Sequence, residues 1–215
     1  MIDLDRLKEE QLHLSQKVIL KDGFERISTV AGVESAYLDK EIISCIVVCA
    51  YPSMELLEKK IAIVKSGLPY IPGFQAYREL PAITEAFYKL SQVPDVLLIK
   101  GNGILHPRKF DVASHVGLML NVPAIGVSKT LSAGRIENGK IFIGVDLCGF
   151  EVKTRDFANP LFISPGHLVS LGSVLNIVSK CIKPPHKLPE PLHLAHKYAE
   201  KERERIVSSS TAKMI

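Results

Sequence analysis

No two of the four cysteines in this chain form a C-x-x-C pair. Cys45 and Cys49 share one apolar run, while Cys148 and Cys181 stand alone. A disulfide framework and a thiolate zinc site are therefore not expected, and the four read as small core hydrophobes in a reducing compartment. Long apolar runs are missing too. The longest, Ile42 to Tyr51, is interrupted by Ser44 and falls far short of the roughly 20 residues that cross a bilayer. Residues Met1 to Glu10 are charged and lack an apolar targeting core, so a soluble, cytoplasmic protein with no membrane partner is expected. There is no internal repeat and no low-complexity linker. Strong charge of one sign is absent as well: 27 Lys and Arg against 23 Asp and Glu leave +4. From Cys181 onward, however, seven Lys or Arg face four Glu. A weakly basic chain with a basic end is compatible with nucleic acid without establishing it.

What is present is ample apolar material. A chain of 215 residues that is 47% hydrophobic suits one domain, since single cores grow to roughly 250 residues before splitting. That domain is expected over residues 1–206, with a frayed tail at 207–215. Leu4, Leu7, Leu14 and Val18 share a helical face behind a capping Asp3. Ile27–Tyr37 and Glu41–Tyr51 read as adjacent strands joined by a turn at Leu38–Lys40, and Glu55–Lys65 as a third. Pro81 suits the first turn of a helix. Asp95–Lys100 and Pro123–Val127 are short buried strands, with a helix from Asp111 to Leu120 between them. Asn138-Gly139 marks a hairpin between Arg135–Glu137 and Lys140–Asp146. A strand at Pro160–Ser164 and helices at His167–Ile182 and Pro191–Ile206 complete the pattern. Strands first, then strand and helix in alternation, predict an α/β sandwich with a mixed sheet. The antiparallel opening disfavours a Rossmann-type sheet.

Four segments carry candidate chemistry. Glu34 interrupts an apolar strand, where a carboxylate needs a cation, a donor or solvent, or else lies on a solvent-facing edge. The loop 69–73 (PYIPG) is stiffened by two prolines and presents Tyr70, either as a ring that presses between bases or as a packing lid. Glu79 follows it, and its capping of a helix start is the plain alternative to a site role. The segment 100–109 (KGNGILHPRK) follows a strand with Lys100, Gly101, Asn102, Gly103 and His106. Without a third glycine or a downstream acid it fits a phosphate-contact loop better than a dinucleotide site. In the last segment, His193 and His196 share a helix face, as a metal-binding pair or as surface histidines. Lys129 is unremarkable on its own.

Together these motifs resemble the endonuclease V family over about 30–198: VAGVE at 30–34, YPSMELLE at 51–58, PYIPGFQAYRELP at 69–81, KGNGILHPRKFDVASHVG at 100–117, IGVSK at 125–129, SPGH at 164–167 and LPEPLHLAH at 188–196. The resemblance implies a ribonuclease H-like fold, a mixed five-stranded sheet flanked by helices. It implies a nuclease that uses Mg²⁺, with Mn²⁺ as substitute, to cut the second phosphodiester 3′ to hypoxanthine, leaving a 3′-hydroxyl and a 5′-phosphate. Its partners would be damaged DNA or inosine-containing RNA, bound by a monomer. Glu34, Glu79 and His196 would be the available metal ligands, with Lys100 and Lys129 at the catalytic centre. Tyr70 would be the wedge. Pro72, Gly73, Arg78, Gly101, Asn102, Gly103 and His106 would contact the substrate. Two positions depart from the family. Glu34 stands where the family has Asp, and Lys100 replaces an Asp that opens the glycine loop. Lys100 is expected either to turn inward and pair with Glu34 or Glu79, lowering their pKa, or to swing toward solvent or substrate phosphate.

Overall fold

Among the described residues nine strands form one continuous sheet in the order β3-β2-β1-β4-β5-β9-β8-β7-β6. The computed structural model describes residues 2–212. The first three strands, β1 (Thr29–Leu38), β2 (Glu41–Ala50) and β3 (Leu56–Lys65), make an antiparallel meander. β4 (Val96–Lys100) and β5 (Ala124–Ser128) join β1 in parallel. These five are the expected ribonuclease H-like unit. The sheet does not stop there. β9 (Leu161–His167) pairs antiparallel with β5 and continues through β8 (Asp146–Val152) and β7 (Lys140–Ile143) to β6 (Arg135–Glu137). The sequence reading merged β7 with the start of β8, missing the second reversal at Gly144, where φ is +63°.

Among the described residues five helices flank the sheet: α1 (Leu4–Ser15), α2 (Gln75–Tyr88), α3 (Val112–Leu120), α4 (Leu171–Lys180) and α5 (Glu190–Ala212). Period-two alternation sorts the strand residues between two apolar layers. Leu97 and Ile99 pack with Ala76 and Ile83 of α2 and Val116 of α3. Val96 and Leu98 pack with Val174 of α4 and with Leu192 and Ala195 of α5. Asp3 caps α1 by accepting from the Arg6 amide at 3.0 Å.

Three expectations are corrected. Pro81 is not in a first turn, because α2 begins at Gln75 and carries Pro81 in its interior. The proline sits on the exposed side, where losing one backbone hydrogen bond is least costly. The helix predicted from His167 starts later, at Leu171 behind the capping Ser170, and His167 still belongs to β9. The final helix passes Ile206 and runs to Ala212, so only residues 213–215 of the expected tail lie outside the described residues.

His115 in α3 is 3% exposed, and burial lowers its pKa to about 4. Its ring meets Tyr77 edge-on at 5.0 Å. A base whose folded pKa is depressed stabilises the fold above its unfolded value near 6.5, and that contribution is lost as pH falls through about 4. The shift corresponds to about 3 kcal/mol. His115→Phe should remove this part of the acid sensitivity. The check is the difference in urea midpoint between wild type and variant at pH 7 and pH 4. An equal difference at both pH values would show that His115 does not couple to folding.

Candidate active site at the strand rim

The register Val33↔Ile99 places Glu34 of β1 beside Lys100 of β4, both on the face covered by α5. Helix α5 approaches β1 closely because residue 32 is glycine. A Cβ there would lie 2.2 Å from the Pro191 carbonyl carbon and oxygen. This approach sets His196 over the strand end, with Nδ1 3.8 Å from Glu34 Oε1. Lys100 Nζ donates directly to the same Oε1. Glu34 is 2% exposed, and its Oε2 is buried without a hydrogen-bond partner. Burial raises the Glu34 pKa, outweighing the lowering by Lys100, His196 and Lys129. The ion pair is thus the expected inward arrangement, but the expected net lowering of the carboxylate pKa is reversed by desolvation.

Glu79 lies in the interior of α2, buried and far from a helix-capping position. Its Oε1 accepts from the Tyr37 hydroxyl and from Gln75 Nε2. Tyr37 points to the α2 side of β1, while Glu34 points to the α5 side. Glu79 thus comes to the rim from α2 and Glu34 from β1, near enough that Glu34 raises the Glu79 pKa. Burial also raises the Glu79 pKa, partly offset by its two donors and Lys100. Sequence reasoning missed both donors. Gln75 was in principle visible as the residue four before Glu79 on one helix, whereas Tyr37 required the tertiary register.

The glycine loop lies at the ends of β4 and β5. Gly101 has φ +129°, and a Cβ on it would meet Val112 Cγ1 at 2.3 Å. Asn102 Nδ2 donates to Asp111 Oδ2 at 3.0 Å and Ser132 Oγ at 2.8 Å, leaving Oδ1 buried and unpaired. Asp111 thus braces the loop and makes no side-chain cap for α3. The Gly103 amide donates to Ser164 Oγ at 3.0 Å, so Gly103 packs on β9 beneath the surface. His106 is 5% exposed, and burial lowers its pKa. Its Nδ1 accepts from the Arg108 amide at 3.3 Å.

The proline loop faces this one across a cavity of about 560 Å³ lined by Tyr70, Pro72, Gly73, Lys100, Gly101, Asn102, His106, Arg108 and Lys129, among others. Tyr70 stands at its lip, 61% exposed. Gly73 is fixed through its carbonyl, which accepts from Gln11 Nε2 at 2.9 Å and Arg108 Nη2 at 3.1 Å. Neither anchor was read from the sequence, because the contact joins α1 to residues far along the chain. Arg78 does not line this cavity. Its guanidinium lies 4.6 Å from the Tyr37 ring centroid.

The residues present do not fit a divalent cation held by Glu34, Glu79 and His196. Mg²⁺ requires near-octahedral oxygen coordination. Here an ammonium occupies one Glu34 oxygen, the other Glu34 oxygen is enclosed, and Glu79 Oε1 already accepts from two donors. Among the described residues no group of three or more His, Cys, Asp or Glu is arranged to hold a metal ion.

A ribonuclease H-like α/β fold with a candidate site where β4 and β5 end beside β1 defines the class of this protein. A family model described as Endonuclease V matches residues 12–197. Endonuclease V from Dictyoglomus turgidum is 36% identical over 204 residues, covering 91% of this chain and 88% of the relative. Endonuclease V from Dictyoglomus thermophilum is 38% identical over 199 residues, covering 89% and 87%. Among solved structures, Endonuclease V from Bacillus subtilis superposes with a TM-score of 0.88 at 31% identity, covering 97% of this chain and 95% of that one. A Ciona intestinalis Endonuclease V variant, in complex with a 23mer DNA containing an inosine followed by a ribo-adenosine, gives 0.86 at 27% identity, covering 96% and 100%. The chain belongs to the Endonuclease V family of nucleases.

Proposed function

We propose that this protein recognises nucleic acid carrying a deaminated purine, deoxyinosine in DNA or inosine in RNA. The observation that carries this reading is the cavity at the strand rim, with the exposed Tyr70 at its lip and backbone-rich walls at Gly73 and Gly101–Asn102. An extruded hypoxanthine would enter the cavity while Tyr70 fills the space it leaves in the stack. Lys129 and Arg108, on the cavity wall, would meet backbone phosphate. The Ciona relative bound to inosine-containing DNA supports the same substrate class.

The reaction proposed is the family's: hydrolysis of the second phosphodiester 3′ to the lesion, leaving a 5′-phosphate, in a cytoplasmic repair role and by a monomer. Mg²⁺, or Mn²⁺ in its place, supplies an activated water in the family. Because the Lys100–Glu34 pair occupies the rim, cleavage is expected to be much weaker than the family norm. Binding without cleavage is the second reading, favoured by that same pair.

Anisotropy titrations with deoxyinosine and undamaged duplexes at matched salt test recognition. Tyr70→Ala should weaken lesion binding about tenfold, as expected for loss of roughly 1–3 kcal/mol of stacking, and change undamaged-duplex binding less. Equal affinity of the wild type for both duplexes would overturn lesion readout. Despite the poor fit at Glu34, any residual cutting is expected to depend on Mg²⁺ or Mn²⁺, and undiminished cutting in excess chelator would refute that dependence.

A further inference from the structure

We infer that the Lys100 ammonium is the resident cation of this rim, so that the protein docks nucleic-acid phosphate without a divalent metal ion. The inference rests on the nucleic-acid reading above and specifies how charge is balanced at that site.

The backbone register makes the pairing structural. Glu34 and Lys100 occupy neighbouring strands on one face, one residue beyond the last paired level, Val33↔Ile99, of β1 and β4. Glu34 meets Lys100 Nζ through Oε1, and its remaining oxygen is shut inside the protein. An incoming divalent ion would therefore have to displace the ammonium before it gained a single Glu34 oxygen, and it would then sit beside a displaced positive charge. The second carboxylate is itself occupied, because Glu79 Oε1 already accepts from Tyr37 and Gln75.

Charge completes the argument. At a rim built of clustered carboxylates a phosphate is repelled until a bound cation inverts the local sign. Here the sign is already inverted. Lys100 neutralises Glu34, and His196 and Lys129 lie close enough to act on the same carboxylate. The Lys100 side chain is 41% exposed and forms part of the cavity wall. An ammonium carries three donors; one reaches Glu34, and the others remain for a phosphate oxygen.

The test has two independent parts. In the first, Mn²⁺ is titrated into the protein alone and followed by electron paramagnetic resonance. Wild type should bind at least about tenfold more weakly than Lys100→Asp, which restores an oxygen ligand in place of a cation. In the second, deoxyinosine-duplex affinity is measured in chelator and in Mg²⁺ at matched ionic strength. Wild type should change by less than about threefold, allowing for counterion competition. Lys100→Asp should lose binding in chelator and regain it with Mg²⁺. Tight stoichiometric Mn²⁺ binding by wild type, or a tenfold or greater loss of its duplex affinity in chelator, would overturn the inference. Both wild-type measurements decide it even if Lys100→Asp does not fold. If no duplex is bound under either condition, the nucleic-acid reading fails, while the Mn²⁺ titration still decides which cation the rim prefers.

Discussion

Gly32→Ala should destabilise the fold by about 3 kcal/mol or more, a large effect for one added methyl group. The new Cβ would sit 2.2 Å from the Pro191 carbonyl and 2.4 Å from the Leu192 amide nitrogen. Both obstacles are backbone at the start of α5, so no side chain can rotate away. The helix itself must retreat, opening the layer where Leu192, Ala195 and Ala199 pack on β1 and β2. It would also draw His196 away from Glu34. Gly67→Ala is the control, since nothing lies within 4 Å of a Cβ there. Urea denaturation of the two variants measures the contrast. A Gly32→Ala loss within about 0.5 kcal/mol of the Gly67→Ala value would show that α5 is free to shift.

The same close approach shows what was legible in the sequence. The strands β1, β2 and β4 could be read because burial on both faces leaves near-continuous apolar runs. The turns at Leu38–Lys40 and Asn138–Gly139 were visible, and Asp39, Asn138 and Gly139 adopt positive φ there. The start of α2 was misplaced because local preference assigns proline to a first turn, whereas tertiary packing of Ala76 and Ile83 extends the helix back to Gln75. At the site, Glu34, Glu79, Lys100 and His196 were identifiable by type and position. Their grouping came only from the family resemblance, not from composition or periodicity. How the two carboxylates meet at the rim depends on cross-strand register and on which helix covers each face. The anchors Gln11, Tyr37 and Arg108 depend on contacts between distant segments, and no local periodicity encodes those.

Register also decides how the Lys100–Glu34 pair responds to being broken from either side. Lys100→Met leaves a carboxylate that is 2% exposed, already short of a partner at Oε2, with no bonded cation. Stranding a buried charge costs roughly 3–5 kcal/mol. Because the lysine side chain is 41% exposed, solvent screens the native pair, and the expected loss lies at the low end, about 3 kcal/mol. Glu34→Gln instead leaves an ammonium that water can solvate and an amide of nearly the same shape, so its cost should stay below about 1 kcal/mol. The two halves of one ion pair are thus unequal because only one is buried. The Lys100→Met deficit should also depend on pH. Removing the cation raises the folded pKa of Glu34 further above its ordinary 4.5. A raised carboxylate favours the fold when protonated, so the deficit should shrink toward pH 4 and grow as pH rises through the folded-state value. Urea midpoints for both variants at pH 4.5 and pH 7.5 test this. Equal losses for Lys100→Met and Glu34→Gln at pH 7.5, or a Lys100→Met loss unchanged at pH 4.5, would show that Glu34 finds another cation or solvent when Lys100 is gone.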